Sequence, residues 1–255
     1  MQRWERAARS FLAAWPPRRH VTGALVCGSY VTGHPTAHSD IDLVLLLPQA
    51  NPWRERGNRV VDGFLVEYFA NSPEQVRRYF AAEFAGNQRI TATMLCTGQV
   101  LFDRDGDLQR LRAEARRWQR RRFPRLPRAE LERLRYALWD TLDNTLDAAE
   151  RGAPDVPFLY HHGIGSAYDC YARFLRQPVL QVDRIERFYG PGAQREKYLL
   201  EPFPDDRFIR ALRAAMREDD PAKMPARLKR LIRYVTREMG DFEVDGWRFR
   251  SPAET

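Results

Sequence analysis

The chain has 255 residues, of which 44% are hydrophobic, so it can form one large domain or two small ones around a packed core. Its net charge of +8 favours polyanionic partners such as nucleotides or nucleic acid. The three cysteines are widely spaced without a CxxC or Cys/His cluster, which argues against a disulfide framework or structural zinc. The apolar run Leu43–Leu47 is too short to cross a bilayer and the N-terminus lacks a signal-peptide core, so we expect a cytoplasmic protein that does not span a membrane.

The N-terminal part of the chain predicts a small domain that combines strands and helices. Residues 3–15 place apolar side chains at helical spacing and precede a Pro-Pro pair, which predicts a short helix. The stretch GALVCGS is typical of a buried strand ending at Gly28, and a second strand is expected over Asp40–Leu47. In NRVVDGFLVEYF, the Asp62-Gly63 pair predicts a hairpin, because both turn positions favour a positive φ.

The remainder of the chain has a mainly helical pattern. The stretch SPEQ begins a helix in which Ser72 can act as the N-cap. From Asp107 onward, apolar residues recur every three or four positions, most clearly in the stripe formed by Leu131, Leu134, Leu138, Leu142 and Leu146. Pro124 and Pro127 break this pattern and indicate a boundary between two domains. Near the end, the Asp245-Gly246 pair is compatible with a terminal hairpin.

Two aspartates, Asp40 and Asp42, stand at the start of the second strand. Alternate residues of a strand point to the same face, so the two carboxylates repel each other unless a cation lies between them. Mg²⁺ suits such a site because it binds carboxylates together with substrate phosphate oxygens. Glu67 lies in an apolar strand where a lone charge is costly to bury, so we expect it to join the aspartates if the two strands are neighbours. The alternative is a polar strand end with solvated charges.

Gly28 and Ser29 precede this acidic pair and end the first strand. Glycine lets a backbone approach a ligand closely, and a helix that starts after the turn offers N–H groups to phosphate. Ser29 adds a hydroxyl group, although it could also simply occupy a turn. We therefore expect the Gly28-Ser29 turn to hold a triphosphate while the three acids hold two metal ions, the arrangement that serves phosphoryl displacement.

The combination of Gly28-Ser29 with Asp40-Ile41-Asp42 resembles the DNA polymerase β-like nucleotidyltransferase superfamily. The stretch SDIDLVLLL is especially similar to minimal bacterial members and to aminoglycoside adenylyltransferases. The resemblance implies a mixed sheet with flanking helices and Mg²⁺-dependent transfer of a nucleoside monophosphate from ATP or another nucleoside triphosphate. Carried over by position, Gly28 and Ser29 would contact the triphosphate, Asp40 and Asp42 would bind metal, and Glu67 would be a third ligand or the base.

The same resemblance suggests how the two halves of the chain are organised. We expect an α+β fold in which residues 1–122 form the nucleotidyltransferase domain that the resemblance implies, with Val100–Phe102 as an edge strand. The helical pattern of residues 128–255 predicts an antiparallel helical bundle. The bundle resembles those fused to such domains, including HEPN domains, which often cleave RNA. No arginine precedes His161 or His162 by four to six positions, so the usual HEPN motif is missing. An acceptor-binding bundle, as in aminoglycoside adenylyltransferases, is equally compatible.

Two hypotheses about function follow. The first is an enzyme that transfers AMP from ATP to a hydroxyl group of a small molecule, a protein or an RNA. The second is a single-chain relative of a toxin–antitoxin pair, whose helical half binds or cleaves RNA. The second rests on an arginine-rich segment, which is either a solvated helix end or a phosphate-backbone contact and consists of Arg116, Arg117, Arg120, Arg121, Arg122, Arg125 and Arg128.

Overall fold

The computed structural model describes residues 1–15, 20–181, 184–192, 194–195 and 198–250. The chain divides into two compact units. Met1–Arg121 and Glu196–Leu200 form the N-terminal unit, and Arg122–Arg195 and Glu201–Thr255 form the C-terminal unit. No helix within the described ranges is long and apolar enough to span a bilayer.

A five-stranded mixed sheet forms the centre of the N-terminal unit. Its strands are β1 (Gly23–Cys27), β2 (Ile41–Leu46), β3 (Glu55–Val61), β4 (Phe64–Asn71) and β5 (Gln99–Asp103), and their spatial order is β3-β4-β2-β1-β5. Strands β2 and β4 are parallel, whereas the other neighbouring pairs are antiparallel. The predicted mixed sheet and the edge position of the Val100–Phe102 strand are therefore confirmed.

Helices cover both faces of this sheet. They are α1 (Arg3–Ala14), α2 (Ser29–Thr32), α3 (Pro73–Ala85), α4 (Ile90–Thr97) and α5 (Asp107–Arg120). Apolar residues of α1 pack against one face, and those of α3, α4 and α5 pack against the other. Because both faces are covered, every residue of β1 and β2 is buried except Asp42, which is half-buried. A charged group therefore interrupts an otherwise apolar pair of central strands.

Local sequence signals account for several of these elements. The hairpin between β3 and β4 turns at Asp62 and Gly63, which have φ values of 51° and 80° as a type I′ turn requires. The Ser72 hydroxyl accepts a hydrogen bond from the backbone N–H of Gln75 at 3.3 Å and so caps α3. Helix α4 was not predicted, because residues 90–97 combine β-branched and apolar side chains without a polar stripe.

The C-terminal unit is helical, as predicted. Its helices are α6 (Arg128–Glu150), α7 (Val156–Phe174), α8 (Ile185–Tyr189), α9 (Asp206–Met216) and α10 (Met224–Glu238). Leu134 and Leu138 of the predicted leucine stripe lie in its core, and Leu131 and Leu142 pack against that core. The unit thus has a hydrophobic core of its own, separate from those on the two faces of the sheet.

The terminal hairpin does not form in residues 241–250, which contain a turn but no strand. The Asp245-Gly246 pair does make the turn, with the N–H of Trp247 bonded to the carbonyl of Val244 at 3.1 Å. The Trp247 ring stacks on Tyr136 of α6 with centroids 4.1 Å apart and an interplanar angle of 8°. The Asp-Gly pair therefore determines only the turn. The flanking Trp247 packs on a helix and does not join a second strand.

Candidate active site

Three carboxylates meet where β2 begins, beside the middle of β4. Asp42 and Glu67 are register partners on these parallel strands, and Asp40 lies two residues before Asp42. Each carboxylate has one oxygen atom that lies within 4.8 Å of an oxygen atom of both others. All three residues are half-buried. Residues that were selected from the sequence on different grounds therefore form one cluster in the folded chain.

The alternation of side chains along β2 explains this convergence. Ile41, Leu43 and Leu45 point to the face covered by α1, whereas Val44 and Leu46 point to the face covered by α3, α4 and α5. Asp42 shares the second face because it is two residues from Val44. Glu67 points to the same face of the sheet because it is directly opposite Asp42 in a parallel pair.

Gly28 brings the turn after β1 against this cluster. Its φ of 77° and ψ of −158° place it in a backbone region that is essentially restricted to glycine. A Cβ atom at this position would collide with Oδ2 of Asp42. The close approach of backbone and carboxylate is therefore possible only without a side chain at residue 28.

Ser29 begins the single turn of α2, directly after Gly28. The Gly28 carbonyl accepts from the N–H groups of Val31 and Thr32 at 3.2 and 3.0 Å, which holds the turn in a helical conformation. Ser29 is half-buried. The structure thus places Gly28 of the predicted phosphate turn against the acidic cluster, and Ser29 is the next residue in the chain.

The electrostatic character of the site is visible at Cys27, for which the sequence predicted no role. Burial raises the pKa of its thiol well above the usual value, and the charges of Asp42 and Asp40 raise it further. The thiol donates a weak hydrogen bond to the carbonyl of Asp42 at 3.7 Å. Cys27 therefore stays protonated and packs beside a negatively charged site.

Arg56 on β3 contacts the cluster, a role that was not predicted from the sequence. Its Nη2 and Nε atoms donate to the same oxygen, Oε1 of Glu67, at 2.6 and 2.9 Å. Its guanidinium also lies over the ring of Phe69, 5.0 Å from the centroid. The hairpin register carried the signal, because a turn at 62–63 places residue 58 opposite residue 67 and Arg56 diagonally beside it.

The donor set fits a hard divalent cation. Carboxylate oxygens are the ligands that Mg²⁺ prefers, and three of them close together repel one another until a cation neutralises them. The backbone of Gly28 lies directly against Asp42, so the turn after β1 is next to the carboxylate oxygens. A phosphate-bearing substrate held by this turn would share the ion with the carboxylates. Asp40, Asp42 and Glu67 are therefore the residues that would hold such an ion.

The arginine-rich segment is exposed throughout. Arg116, Arg117 and Arg120 lie on α5, and Arg128 is the first residue of α6. Arg121 lies over Trp118 and Phe84 at 4.0 and 4.7 Å from their ring centroids. Within the described residues, no ion pair neutralises the other exposed members of the segment, namely Arg116, Arg117, Arg120, Arg122, Arg125 and Arg128.

Comparison with known proteins identifies the domain that contains the acidic cluster. Residues 5–89 match the nucleotidyltransferase domain family, a span that includes Gly28, Ser29 and all three carboxylates. The N-terminal unit therefore carries a nucleotidyltransferase domain, as the resemblance to the polymerase β-like superfamily predicted. The match does not extend into the C-terminal unit.

Similarity is found with several solved structures. One of them is a nucleotidyltransferase-like protein from Exiguobacterium sibiricum 255-15, with 12% sequence identity and a TM-score of 0.48. The similarity covers 92% of this chain and 75% of that one. No curated protein matches the chain.

Proposed function

We propose that this chain, whose N-terminal unit carries a nucleotidyltransferase domain, transfers a nucleoside monophosphate from a nucleoside triphosphate to a hydroxyl group and releases pyrophosphate. The observation that carries the proposal is the convergence of Asp40, Asp42 and Glu67 inside the matched domain. The mutual repulsion of three clustered carboxylates destabilises the fold unless a cation neutralises their charge. The proposed donor is ATP, so the transferred group is AMP.

Each site residue has a proposed role in this reaction. Asp40 and Asp42 hold Mg²⁺, and Glu67 either completes the ligand set or takes the proton from the acceptor hydroxyl. The Gly28-Ser29 turn contacts the triphosphate through its backbone and the serine hydroxyl. When bound, two Mg²⁺ ions would neutralise charge on the attacking and leaving oxygens.

The chemistry balances without a further reactant. The acceptor oxygen forms a bond to the α-phosphorus, and the bond between that phosphorus and the bridging oxygen breaks. The bridging oxygen leaves with the electron pair as part of pyrophosphate, and the acceptor proton passes to Glu67 or to water. Orientation of the donor by the Gly28-Ser29 turn supplies the in-line geometry that this displacement needs.

A labelling screen tests the proposal and can identify the acceptor. Purified protein is incubated with each of the four α-labelled nucleoside triphosphates and Mg²⁺ in the presence of an aminoglycoside mixture, total RNA or no addition. We expect the label to come from ATP and to appear in one acceptor class, with an equal amount of pyrophosphate released. Absence of labelled product from every nucleotide and acceptor would reject the proposal.

A second function, RNA binding, is favoured by the exposed arginine-rich segment. Six of its arginines lack an ion-pair partner within the described residues, so their charge is available to a phosphate backbone. In this case the protein would resemble fused nucleotidyltransferase–HEPN proteins, with a helical unit that binds or cleaves RNA. The missing arginine–histidine motif counts against cleavage but not against binding.

Salt dependence tests this second function. Affinity for labelled total RNA is measured between about 50 and 200 mM salt, with and without ATP, for the wild type and for Arg122→Gln and Arg125→Gln, two exposed arginines of the C-terminal unit. Binding through phosphates predicts a steep loss of affinity with salt and a shallower slope in each variant. RNA that stays intact and unbound at low salt would remove this candidate.

A further inference from the structure

The ion pair between Arg56 and Glu67 lies inside the acidic cluster. Both donating nitrogens of Arg56 contact Oε1 of Glu67, and no described residue forms a hydrogen bond to Oε2. The Glu67 side chain is only 15% exposed, whereas that of Arg56 is 69% exposed. Arg56 therefore reaches from the solvent-exposed edge strand to a carboxylate that is largely buried in the folded chain.

This placement has an electrostatic consequence for the cluster. Without a cation, three carboxylates within a few ångströms repel one another, and a guanidinium on one of them lowers that repulsion. When a divalent cation binds, the same guanidinium is a like charge and repels it. Arg56 therefore stabilises the cation-free site and opposes loading of the site with metal.

We propose that Arg56 is an internal counter-ion. It forms an ion pair with Glu67 in the cation-free protein, and an incoming divalent cation displaces it from that carboxylate. The inference rests on the proposed function, because it assigns the metal site to Asp40, Asp42 and Glu67. Displacement is inexpensive, since an ion pair with one solvent-exposed partner contributes little to stability. The long side chain can withdraw towards solvent along the ring of Phe69, over which it already lies.

The consequence for the enzyme is that Glu67 becomes available only when the cation arrives. In the cation-free protein its Oε1 is engaged by Arg56, so this oxygen is not available to a metal ion. Binding of the cation releases this oxygen and changes the role of Glu67 from ion-pair partner to ligand or base. Arg56 is thus a positioning residue, whose effect on the reaction passes through Glu67, and it is not a catalytic residue.

Cation affinity measured without nucleotide tests the inference. Free Mn²⁺ is followed by electron paramagnetic resonance during titration of the wild type, Arg56→Ala, Arg56→Lys and the control Arg59→Ala. Arg59 is an exposed arginine of the same strand that faces the other side of the sheet and makes no ion pair with a described residue. Circular dichroism verifies that each variant is folded.

We expect Mn²⁺ to bind more tightly when the positive charge of Arg56 is removed. Loss of the competing charge in Arg56→Ala should tighten Mn²⁺ binding by roughly fivefold, because a unit charge near a divalent ion is only partly screened by water and salt. Arg56→Lys keeps the charge and should stay within about twofold of the wild type, as should Arg59→Ala. Mn²⁺ binding that is unchanged or weaker in Arg56→Ala would overturn the inference.

The failure of this inference can be distinguished from the failure of the proposed function. If Arg56→Ala tightens Mn²⁺ binding but no nucleotide is transferred by the wild type, the counter-ion role stands and the enzyme assignment fails. If the wild type transfers nucleotide but Arg56→Ala binds Mn²⁺ like the wild type, the counter-ion role alone is wrong. A wild type that does not bind Mn²⁺ would overturn the inference and remove the metal site as well.

Discussion

Asp42 and Glu67 are directly paired on the parallel strands β2 and β4, and this pairing places their carboxylates side by side. A shift of one residue in the register would turn one of the two side chains to the opposite face of the sheet. The apolar residues around them prevent such a shift, because Ile41, Leu43 and Val66 are fully buried on the face covered by α1. The packing of the core therefore maintains the geometry of the acidic cluster.

The first prediction concerns the charge of Asp42. Asp42→Asn removes a negative charge from the cluster at nearly constant volume, so nucleotide transfer should fall by at least about 100-fold. The protein should remain folded, since the substitution lowers repulsion within the cluster. Transfer is measured with α-labelled ATP, and folding is measured by circular dichroism. The matched control is Asp62→Asn in the hairpin turn, where asparagine accepts the positive φ. A native rate in Asp42→Asn would contradict the assignment of the site.

The second prediction concerns the close approach of Gly28 to Asp42. Gly28→Ala should lower the free energy of unfolding by about 1–3 kcal/mol and should also abolish Mn²⁺ binding, because the new methyl group meets Oδ2 of Asp42. In the control Gly63→Ala, the φ of 80° is equally unfavourable, but no atom lies within 4 Å of the new methyl group. We expect this control to be destabilised while it retains Mn²⁺ binding. Urea unfolding and Mn²⁺ titration separate the two effects, and equal Mn²⁺ affinity in both variants would refute the steric argument.

The third prediction concerns pH and the C-terminal unit. Hydrogen bonds from Arg213 and Arg217 lower the pKa of Glu186 to about 2, although burial acts in the opposite direction. Because the folded pKa is below the unfolded value, this ion pair stabilises the protein above about pH 4.5 and loses its effect as the pH falls towards 2. Glu186→Gln should therefore lower the stability at pH 7 by at most about 1 kcal/mol, since the carboxylate is partly solvated.

Urea unfolding of Glu186→Gln and the wild type at several pH values checks this expectation. The difference between the two proteins should shrink steadily below about pH 4.5. The control is Glu243→Gln, which changes an exposed carboxylate that makes no ion pair with a described residue. A difference that grows on acidification would show that the sign is wrong.

The fourth prediction concerns the C-terminal tail. Trp247→Ala removes the ring that stacks on Tyr136, so the free energy of unfolding should fall by about 1–3 kcal/mol. Residues after Asp241 should also become more sensitive to limited proteolysis. Phe249→Ala is the control, because Phe249 is exposed and contacts Trp247 from outside at 6.5 Å between centroids. Equal stability losses in the two variants would contradict a specific role for the Trp247–Tyr136 stack.

Much of the candidate site could be predicted because its signals are local. The alternation of Asp40 and Asp42 with apolar residues, the glycine at the end of β1 and the Asp62-Gly63 turn each depend on adjacent residues. Helix α4 and the position of the tail could not be predicted in this way. An apolar segment without a stripe does not distinguish a helix from a strand, and a turn pair does not specify what its flanks contact.

The amino-acid sequence by itself determined the residue types of the acidic cluster, the phosphate turn and the hairpin, because backbone sterics and side-chain periodicity act over a few residues. Only the tertiary structure decided that β2 lies beside β4 and that Glu67 therefore joins Asp40 and Asp42. These contacts join residues far apart in the chain, and the burial of apolar side chains on both faces of the sheet selects them.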